Sequence, residues 1–285
     1  MLLKERYINP LTDFGFKKLF GTEPNKELLI DFLNLLLPLQ HQIAKLKYIK
    51  NEHLGANELD RKAIFDIYCE SQQGEKFIVE VKKAKQNYFK DRSIYYASFP
   101  VQEQAQQGNW NYKLNAVYTI GILDFVFDED KKEQKIIHEV KLKDQDCQVF
   151  YDKLSFIYIE LPNFTKTETQ LETHFDKWLY ILRHLSNLQD RPPALQAKIF
   201  ERLFKEAEIA TFSKIERRAY EDSLKHYRDI NNVVDTSIEK GRQQREIEIA
   251  KIMLQEGENI KKIIKYTQLP QELIQKIKQN TNTKK

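Results

Sequence analysis

Apolar and polar residues along the first half of the chain follow two different periods. Residues 26–37 are apolar around much of a helical surface, which predicts a buried helix with Asn25 as its N-cap and Pro38 as its end. Residues 63–70 and Lys76–Lys82 are strand-like runs, and Gly74 in the short loop between them favours a β-hairpin. The pattern then predicts one long helix, over 83–107 with an interruption near Pro100, and two strands, over 114–127 and 149–161.

Beyond Pro162 the strand patterns stop, and apolar residues at spacings of three and four predict helices that pack on a core. These segments are 167–188, 194–210 and 213–227, followed by a charged, Gln-rich stretch and three short amphipathic segments over 247–254, 260–266 and 271–277. We therefore predict an α/β fold followed by an all-helical C-terminal region. The expected domains are 1–165 (α/β core with N-terminal helices), 166–234 (helices packing on it) and 235–285 (exposed helical linker and basic three-helix tail).

The composition indicates a cellular compartment and shows where the positive charge is concentrated. The 285 residues carry a net charge of only +4, but 240–285 hold 11 Lys or Arg against 5 Glu, so the positive charge is concentrated in the tail. Cys69 and Cys147 are too few for a disulfide framework, which fits a reducing cytosol. No secretory h-region and no run of roughly 18 apolar residues occurs, so we expect a cytoplasmic protein without a membrane segment.

Three charged residues of the predicted hairpin carry its candidate chemistry. With the loop centred near Gln73, Asp66 faces Glu80 and Ile64 faces Lys82, and the period of two puts Asp66, Glu80 and Lys82 on one face. Opposed residues have Cβ atoms about 4.5 to 5.5 Å apart, where like charges are destabilising. The two carboxylates therefore need a compensating partner, unless a one-residue slip in register separates them.

The neighbouring residues of both strands are almost continuously apolar, as in strands covered on both faces. Mg²⁺ is the simplest partner for buried carboxylates, since it takes oxygen ligands and is often held by one or two of them. Lys82 would then stabilise charge on a phosphate or position a water molecule. The alternative is a solvated charged face, in which Asp66, Glu80 and Lys82 partly neutralise one another.

The arrangement Phe65-Asp66 … Glu80-Val81-Lys82, followed by a helix, resembles the core of PD-(D/E)XK nucleases. Further segments are similar to the nuclease-type transposases of this group, also described as recombination-promoting nucleases: 12–21, 31–34, 91–98, 120–125, the helix around Trp178, and 249–251. The resemblance implies a restriction-endonuclease-like core, a mixed central sheet flanked by helices. It also implies that Asp66 and Glu80 bind a metal and that Lys82 is the catalytic lysine.

Other residues enter only through this resemblance. Phe65 replaces the usual proline, which leaves the chemistry of the aspartate intact. Asp13 would be an additional metal-binding carboxylate or, alternatively, a helix N-cap. Gln86 and Arg92 would contact DNA from the helix after the core, or remain surface residues.

The implied activity is that of a Mg²⁺-dependent DNA endonuclease that serves recombination or a mobile element. The main alternative is a catalytically silent DNA-binding or assembly protein on the same fold, and an RNA-directed nuclease is a third. Intact Asp66, Glu80 and Lys82 favour the enzyme. True transposition is not expected, because the sequence shows no second acidic constellation. A double-strand cut by one active site per chain would favour a homodimer.

The basic tail resembles a small helix-turn-helix unit, in which lysines would bind phosphates and make DNA binding salt-dependent. The candidates are Lys261, Lys262, Lys265, Lys276 and Lys278. The alternative is a packing or oligomerisation module with surface lysines.

Overall fold

The computed structural model describes residues 5–50, 52–53, 63–106, 108–127 and 135–282. Backbone contacts divide the chain into two compact units, Met1–Tyr227 and Arg228–Lys285. The division into domains at 165/166 and 234/235 stays a prediction. In the described part of the chain, no helix combines the length and the apolar composition that a membrane crossing requires.

The helices are α1 (Asp13–Phe20), α2 (Lys26–Asn34), α3 (Phe89–Gln102), α4 (His174–His184), α5 (Lys198–Ala207), α6 (Lys214–Gln255), α7 (Ile260–Thr267) and α8 (Gln271–Asn282). The strands are β1 (Leu46–Tyr48), β2 (Glu52–His53), β3 (Ala63–Ile64), β4 (Ile67–Ser71), β5 (Lys76–Lys82), β6 (Val117–Leu123), β7 (Ile137–Lys143) and β8 (Val149–Glu160). Helix α6 begins in the first unit and ends in the second.

One mixed sheet forms the centre of the first unit, with the strand order β1-β4-β5-β6-β8-β7 across the described residues. Strands β5, β6 and β8 are parallel to one another, and the remaining neighbours are antiparallel. Parallel neighbours need a crossover connection, and α3 provides it between β5 and β6. The fold is the predicted restriction-endonuclease-like arrangement, a mixed sheet flanked by helices.

Helices cover both faces of the sheet. Strand β5 has apolar side chains pointing to each face, and these side chains pack against the helices. Phe77, Val79 and Val81 belong to the main core, which also contains residues of α1, α2, α4 and α5. Ile78 points to the other face and packs in a cluster with Tyr96 of α3. A charged residue near the end of this strand therefore lies in a region that is largely closed to water.

Trp178 joins the helices of the main core. Its side chain is fully buried, and its ring lies 5.6 Å from the ring of Phe20, 5.6 Å from that of Phe32 and 5.4 Å from that of Phe200. The indole Nε1 donates a hydrogen bond to Asp31 Oδ1 at 3.2 Å. One residue of α4 thus contacts α1, α2 and α5 at the same time.

Several predicted element boundaries were wrong. Helix α2 ends at Asn34 instead of reaching residue 37, because the Asn34 side chain exchanges two hydrogen bonds with the backbone of Ile43. Asn25 occupies the N-cap position, but its amide donates to Lys18 O instead of capping the helix with its oxygen. The predicted strand 63–70 is divided between β3 and β4, with a break at Phe65 and Asp66.

The long helix predicted over 83–107 is shorter than expected, since α3 begins only at Phe89. Tyr88 has a left-handed backbone conformation and separates the helix from the turn that follows β5. The residue pattern did not predict the short edge strand β1 or strand β7 at the opposite edge. The helix predicted over 213–227 continues without interruption to Gln255.

Removing the indole of Trp178 should destabilise the first unit strongly. We expect Trp178→Ala to lower the free energy of unfolding by about 3–5 kcal/mol, because the large cavity it leaves is lined by rings that cannot close it. Urea unfolding followed by circular dichroism measures the change. Ile215→Ala is the control, since Ile215 is 82% exposed and its truncation should cost little; equal losses for the two variants would contradict the assignment of Trp178 to the core.

Candidate active site

The β4–β5 hairpin has the predicted register. The partners Ile67↔Val79 and Tyr68↔Ile78 are those expected for a loop centred near Gln73, and Gly74 in the loop has a φ of 85°. The ladder ends at Ile67, so the expected cross-strand pair of Asp66 with Glu80 is not formed, and Asp66 lies one residue beyond the last pair. The expected pairing of Ile64 with Lys82 was wrong, because Ile64 pairs with Glu52 in a separate two-stranded sheet.

Asp66 is fixed by the backbone of the neighbouring strand. Its Oδ2 accepts a hydrogen bond from the amide of Val81 at 2.8 Å. Because β4 has already left the ladder at this point, the carboxylate takes the place of a strand carbonyl as acceptor for Val81. The break at Phe65 and Asp66 therefore positions the aspartate beside Glu80-Val81-Lys82.

Glu80 is the most deeply buried acidic residue of the predicted set, at 6% exposure. Its Oε2 lies 3.2 Å from Lys82 Nζ, while Oε1 has no hydrogen-bond partner among the residues that the structure describes. Burial raises the pKa of Glu80, and the negative charge of Asp66 raises it further. The positive charges of Lys82 and Arg92 oppose this rise without cancelling it.

The neighbouring strand β6 has no side chain directly beside Glu80. Gly121 of β6 is its ladder partner, and a Cβ at this glycine would lie 2.9 Å from the Tyr158 ring. A side chain is therefore excluded there, and the ring of Tyr158 takes that space on the α3 side of the sheet. Burial raises the pKa of Tyr158, and the charge of Glu80 adds to that shift. Glu80 thus has the aromatic ring of Tyr158 on β8 as a neighbour. Strand β6 places no acidic or amide side chain beside it.

Asp13 shares a cleft with Asp66 on the α1 side of the sheet. The cleft has a volume of about 600 Å³, and both carboxylates line it. The alternative role of Asp13 as an N-cap was wrong, because Thr12 is the N-cap and accepts from the Gly15 amide at 3.0 Å. Asp13 instead forms an ion pair with Lys17 at 2.8 Å. No three Asp, Glu, His or Cys side chains converge as a metal site among the described residues.

Gln86 and Arg92 form one hydrogen-bonded group next to Glu80. The guanidinium of Arg92 donates to Gln86 Oε1 at 2.9 Å and to the Tyr96 hydroxyl at 2.6 Å. The Tyr96 ring in turn packs against Phe65 at 5.4 Å, edge to face. Both predicted polar residues are therefore connected to the strand break that carries Asp66.

The tail lysines lie in the second unit. Lys261, Lys262 and Lys265 are exposed on α7, and Lys276 is exposed on α8. Lys262 forms an ion pair with Glu258, which raises its pKa. The unit has its own apolar core, built around Ala250, Ile263, Leu269, Ile274 and Ile277.

Two residues near the site were missed by the sequence analysis. Lys83 is half-buried, and burial lowers its pKa although Asp13 and Asp66 act in the opposite sense. Asp124 donates its amide to Lys82 O at 2.8 Å and accepts the hydroxyl of Tyr227 at 2.6 Å. Burial raises the pKa of Asp124. The position of Lys83 directly after the motif was an available signal, whereas nothing in the sequence pairs Asp124 with Tyr227.

A mixed sheet flanked by helices, with an acidic residue before one strand and Glu-x-Lys at the end of the next, defines a nuclease-like protein of the PD-(D/E)XK type. The profile of the PD-(D/E)XK nuclease family transposases matches residues 10–237, and the chain belongs to this family. Neither the comparison with curated proteins nor that with solved structures gave a significant match.

Family membership supports a nuclease or transposase-related role with DNA as the substrate, and nucleases of this type generally use divalent cations. The matched residues extend from before α1 into the first part of α6 and include Asp66, Glu80 and Lys82. Helices α7 and α8 lie outside them, as does the resemblance at 249–251.

Replacing Glu80 by Gln should remove a pH-dependent loss of stability. Because burial raises its pKa in the folded protein, the stability that Glu80 contributes is present below the unfolded pKa and is lost as pH rises through the folded pKa. In EDTA, we expect Glu80→Gln to gain stability relative to the wild type between about pH 4 and about pH 8. Urea unfolding at both pH values measures this difference.

Glu139→Gln is the control, because the Glu139 side chain is 61% exposed and should give no such gain. A constant difference between Glu80→Gln and the wild type at every pH would contradict the raised pKa.

Proposed function

We propose that this protein is a metal-dependent DNA endonuclease that hydrolyses phosphodiester bonds, with Asp66, Glu80 and Lys82 as its active site. The observation that carries the proposal is the Oε1 atom of Glu80, which is buried without a hydrogen-bond partner among the described residues. Leaving a buried carboxylate oxygen unpaired is costly, and a ligand that uses this oxygen removes the cost.

A divalent cation fits the residues present. Mg²⁺ is often held by one or two carboxylates, with water and a substrate phosphate as the other ligands, so Asp66 and Glu80 suffice as the protein ligands. Asp13, which lines the same cleft as Asp66, would join them by giving up its ion pair with Lys17. When bound, the cation would lower the pKa of a coordinated water molecule and stabilise negative charge on the phosphate.

The protein groups have separate tasks in this proposal. The hydrogen bond from the Val81 amide orients the carboxylate of Asp66 at the strand end. Lys82, whose Nζ lies 3.2 Å from Glu80 Oε2, supplies a positive charge that a phosphate oxygen can share. Arg92 and Gln86 would contact the DNA strand on the α3 side. The family name supports a role in recombination or a mobile element, and a double-strand cut by one active site per chain would favour a homodimer.

Cleavage of plasmid DNA in the presence of Mg²⁺ tests the proposal. We expect EDTA to abolish cleavage, and Asp66→Ala and Lys82→Ala to reduce the rate by about 10²-fold or more, because each removes a charge that acts in the transition state. Gel electrophoresis of the products gives the rates.

The matched controls are Glu70→Ala and Lys76→Ala. These residues form an ion pair at 2.8 Å in the same hairpin, at the opposite end of the two strands, and should leave cleavage unchanged. A wild-type protein that retards DNA without cutting it would support the silent DNA-binding protein instead.

We further propose that the second unit binds DNA phosphates through α7 and α8. Helix α7 is joined to α8 by residues 268–270, a turn of helix-turn-helix length that begins with Gln268 at a φ of 57°. Lys261 and Lys265 are four residues apart and therefore lie on one exposed face of α7.

Neutralising these two lysines should weaken DNA binding and reduce its salt dependence. We expect the double variant Lys261→Gln/Lys265→Gln to lower the slope of log K against log salt by roughly 2, one unit for each lost phosphate contact. Fluorescence anisotropy at several salt concentrations measures the slope. Lys262→Gln is the control with a smaller expected effect, since Lys262 is already paired with Glu258; an unchanged slope in the double variant would favour a packing or oligomerisation role.

A further inference from the structure

A cavity of about 550 Å³ opens on the surface next to the candidate active site, beyond the end of β5. Its volume lies within the range of binding sites for small organic groups. The lining combines the aromatic rings of three tyrosines with polar and charged side chains, and includes Tyr88, Tyr95, Tyr96, Gln86, Asp91 and Arg92. Neither the metal site nor the catalytic lysine needs these tyrosines.

Tyr88 has the most unusual conformation in this cavity. Its φ of 61° and ψ of 29° place it in the left-handed region, which a residue with a side chain adopts only at a cost. Its side chain is 80% exposed, and its ring contacts no aromatic ring and no cation among the described residues. The backbone carbonyl of Tyr88 accepts the Arg92 amide at 2.9 Å as the N-cap of α3, and this left-handed residue holds a large ring in water without a ring or cation partner among the described residues.

The cavity is continuous with the active-site residues through direct contacts. Arg92 donates to Gln86 and Tyr96, and its guanidinium lies 4.8 Å from the centre of the Tyr96 ring. Tyr96 packs on Phe65, the residue before Asp66. A group bound against Tyr88 would thus lie one side-chain layer away from the strand break at the proposed cutting site.

A nucleobase matches this lining. Its flat face can stack on the Tyr88 ring, its polar edge can accept hydrogen bonds from Arg92, and the basic residues Lys85 and Lys90 are close along the chain for the adjoining phosphates. A base inside a duplex has both faces covered by its neighbours and cannot reach such a ring. Only an unpaired or extruded base can do so.

We propose that Tyr88 is a stacking platform for an unpaired base of the DNA strand beside the scissile phosphate. The substrate class is then single-stranded DNA, or duplex DNA with unpaired nucleotides near the cut. The proposal deepens the nuclease function and rests on it for the identity of the scissile strand.

Tyr112 provides a matched control in the same chain. It also has a left-handed backbone, with a φ of 58°, and its side chain is 79% exposed. However, it precedes Val117 of β6, whose ladder partner is Lys76 at the start of β5, so it lies at the opposite end of the sheet from Lys82. Its ring already packs against the Trp110 ring in a tilted arrangement, with the ring centres 4.9 Å apart.

Binding without cleavage tests the platform, so the measurements are made in EDTA by fluorescence anisotropy. The probes are a labelled single-stranded oligonucleotide, its fully paired duplex, and an abasic oligomer that keeps the phosphates and lacks the bases. Tyr88→Gly removes the ring and relieves the backbone strain, so the variant should fold, while Tyr88→Phe keeps the ring.

We expect Tyr88→Gly to bind the single strand about tenfold more weakly than the wild type, with Tyr88→Phe and Tyr112→Gly unchanged. Affinity for the duplex and for the abasic oligomer should be the same in the wild type and in Tyr88→Gly, because neither probe offers a free base. Equal affinity of the wild type and Tyr88→Gly for the single strand, or an equal loss on all three probes, would overturn the proposal.

The cleavage assay distinguishes a failure of the proposed nuclease function from a failure of the proposed stacking role of Tyr88. A protein that fails to cut DNA with Mg²⁺ but shows the expected binding pattern would refute the nuclease and support the platform. Cleavage that depends on Asp66, together with Tyr88→Gly binding like the wild type, would refute the platform alone.

Discussion

Burying a carboxylate in a strand covered on both faces has a free-energy cost that its surroundings must offset. Glu80 is in this position, with one oxygen near Lys82 and the other without a hydrogen bond among the described residues. An unsatisfied buried polar group costs about 1–3 kcal/mol, and more when it is charged. The sheet tolerates this cost because the rows of β5 on both faces are otherwise well packed, and the strained group therefore marks where an external ligand would be stabilising.

The topology explains why the buried carboxylate of Glu80 lies near the end of β5. Since β5 and β6 are parallel, the chain must leave the sheet after Lys82, cross over through α3, and return. The carboxyl end of a parallel strand is thus bordered by connecting segments instead of another strand, and ligands of α/β proteins commonly bind there. Helix α1 borders one side of this end and α3 the other, so polar groups from two layers reach the same strand terminus.

The sequence predicted those parts of the fold that local patterns determine. The register of the hairpin followed from its apolar alternation and from Gly74, because a slip by one residue would expose the buried rows. The pairing of Glu80 with Lys82 followed from the same period. Strand β7 was missed because its residues are largely exposed at the sheet edge, so no buried row marks it. The late start of α3 depends on the left-handed Tyr88, which residue preferences do not predict.

The break at Phe65 and Asp66 was also beyond sequence reasoning, and it decides the geometry of the site. Had the strand continued, a backbone carbonyl would have accepted the Val81 amide, and Asp66 would have pointed to a single face of the sheet. With the strand interrupted, its carboxylate accepts that hydrogen bond and lies at the strand edge. From this edge it lines the cleft on the α1 side, while Phe65 beside it contacts Tyr96 on the α3 side. One irregular residue pair thereby connects the metal-binding carboxylates proposed here with the surface proposed to hold the DNA strand.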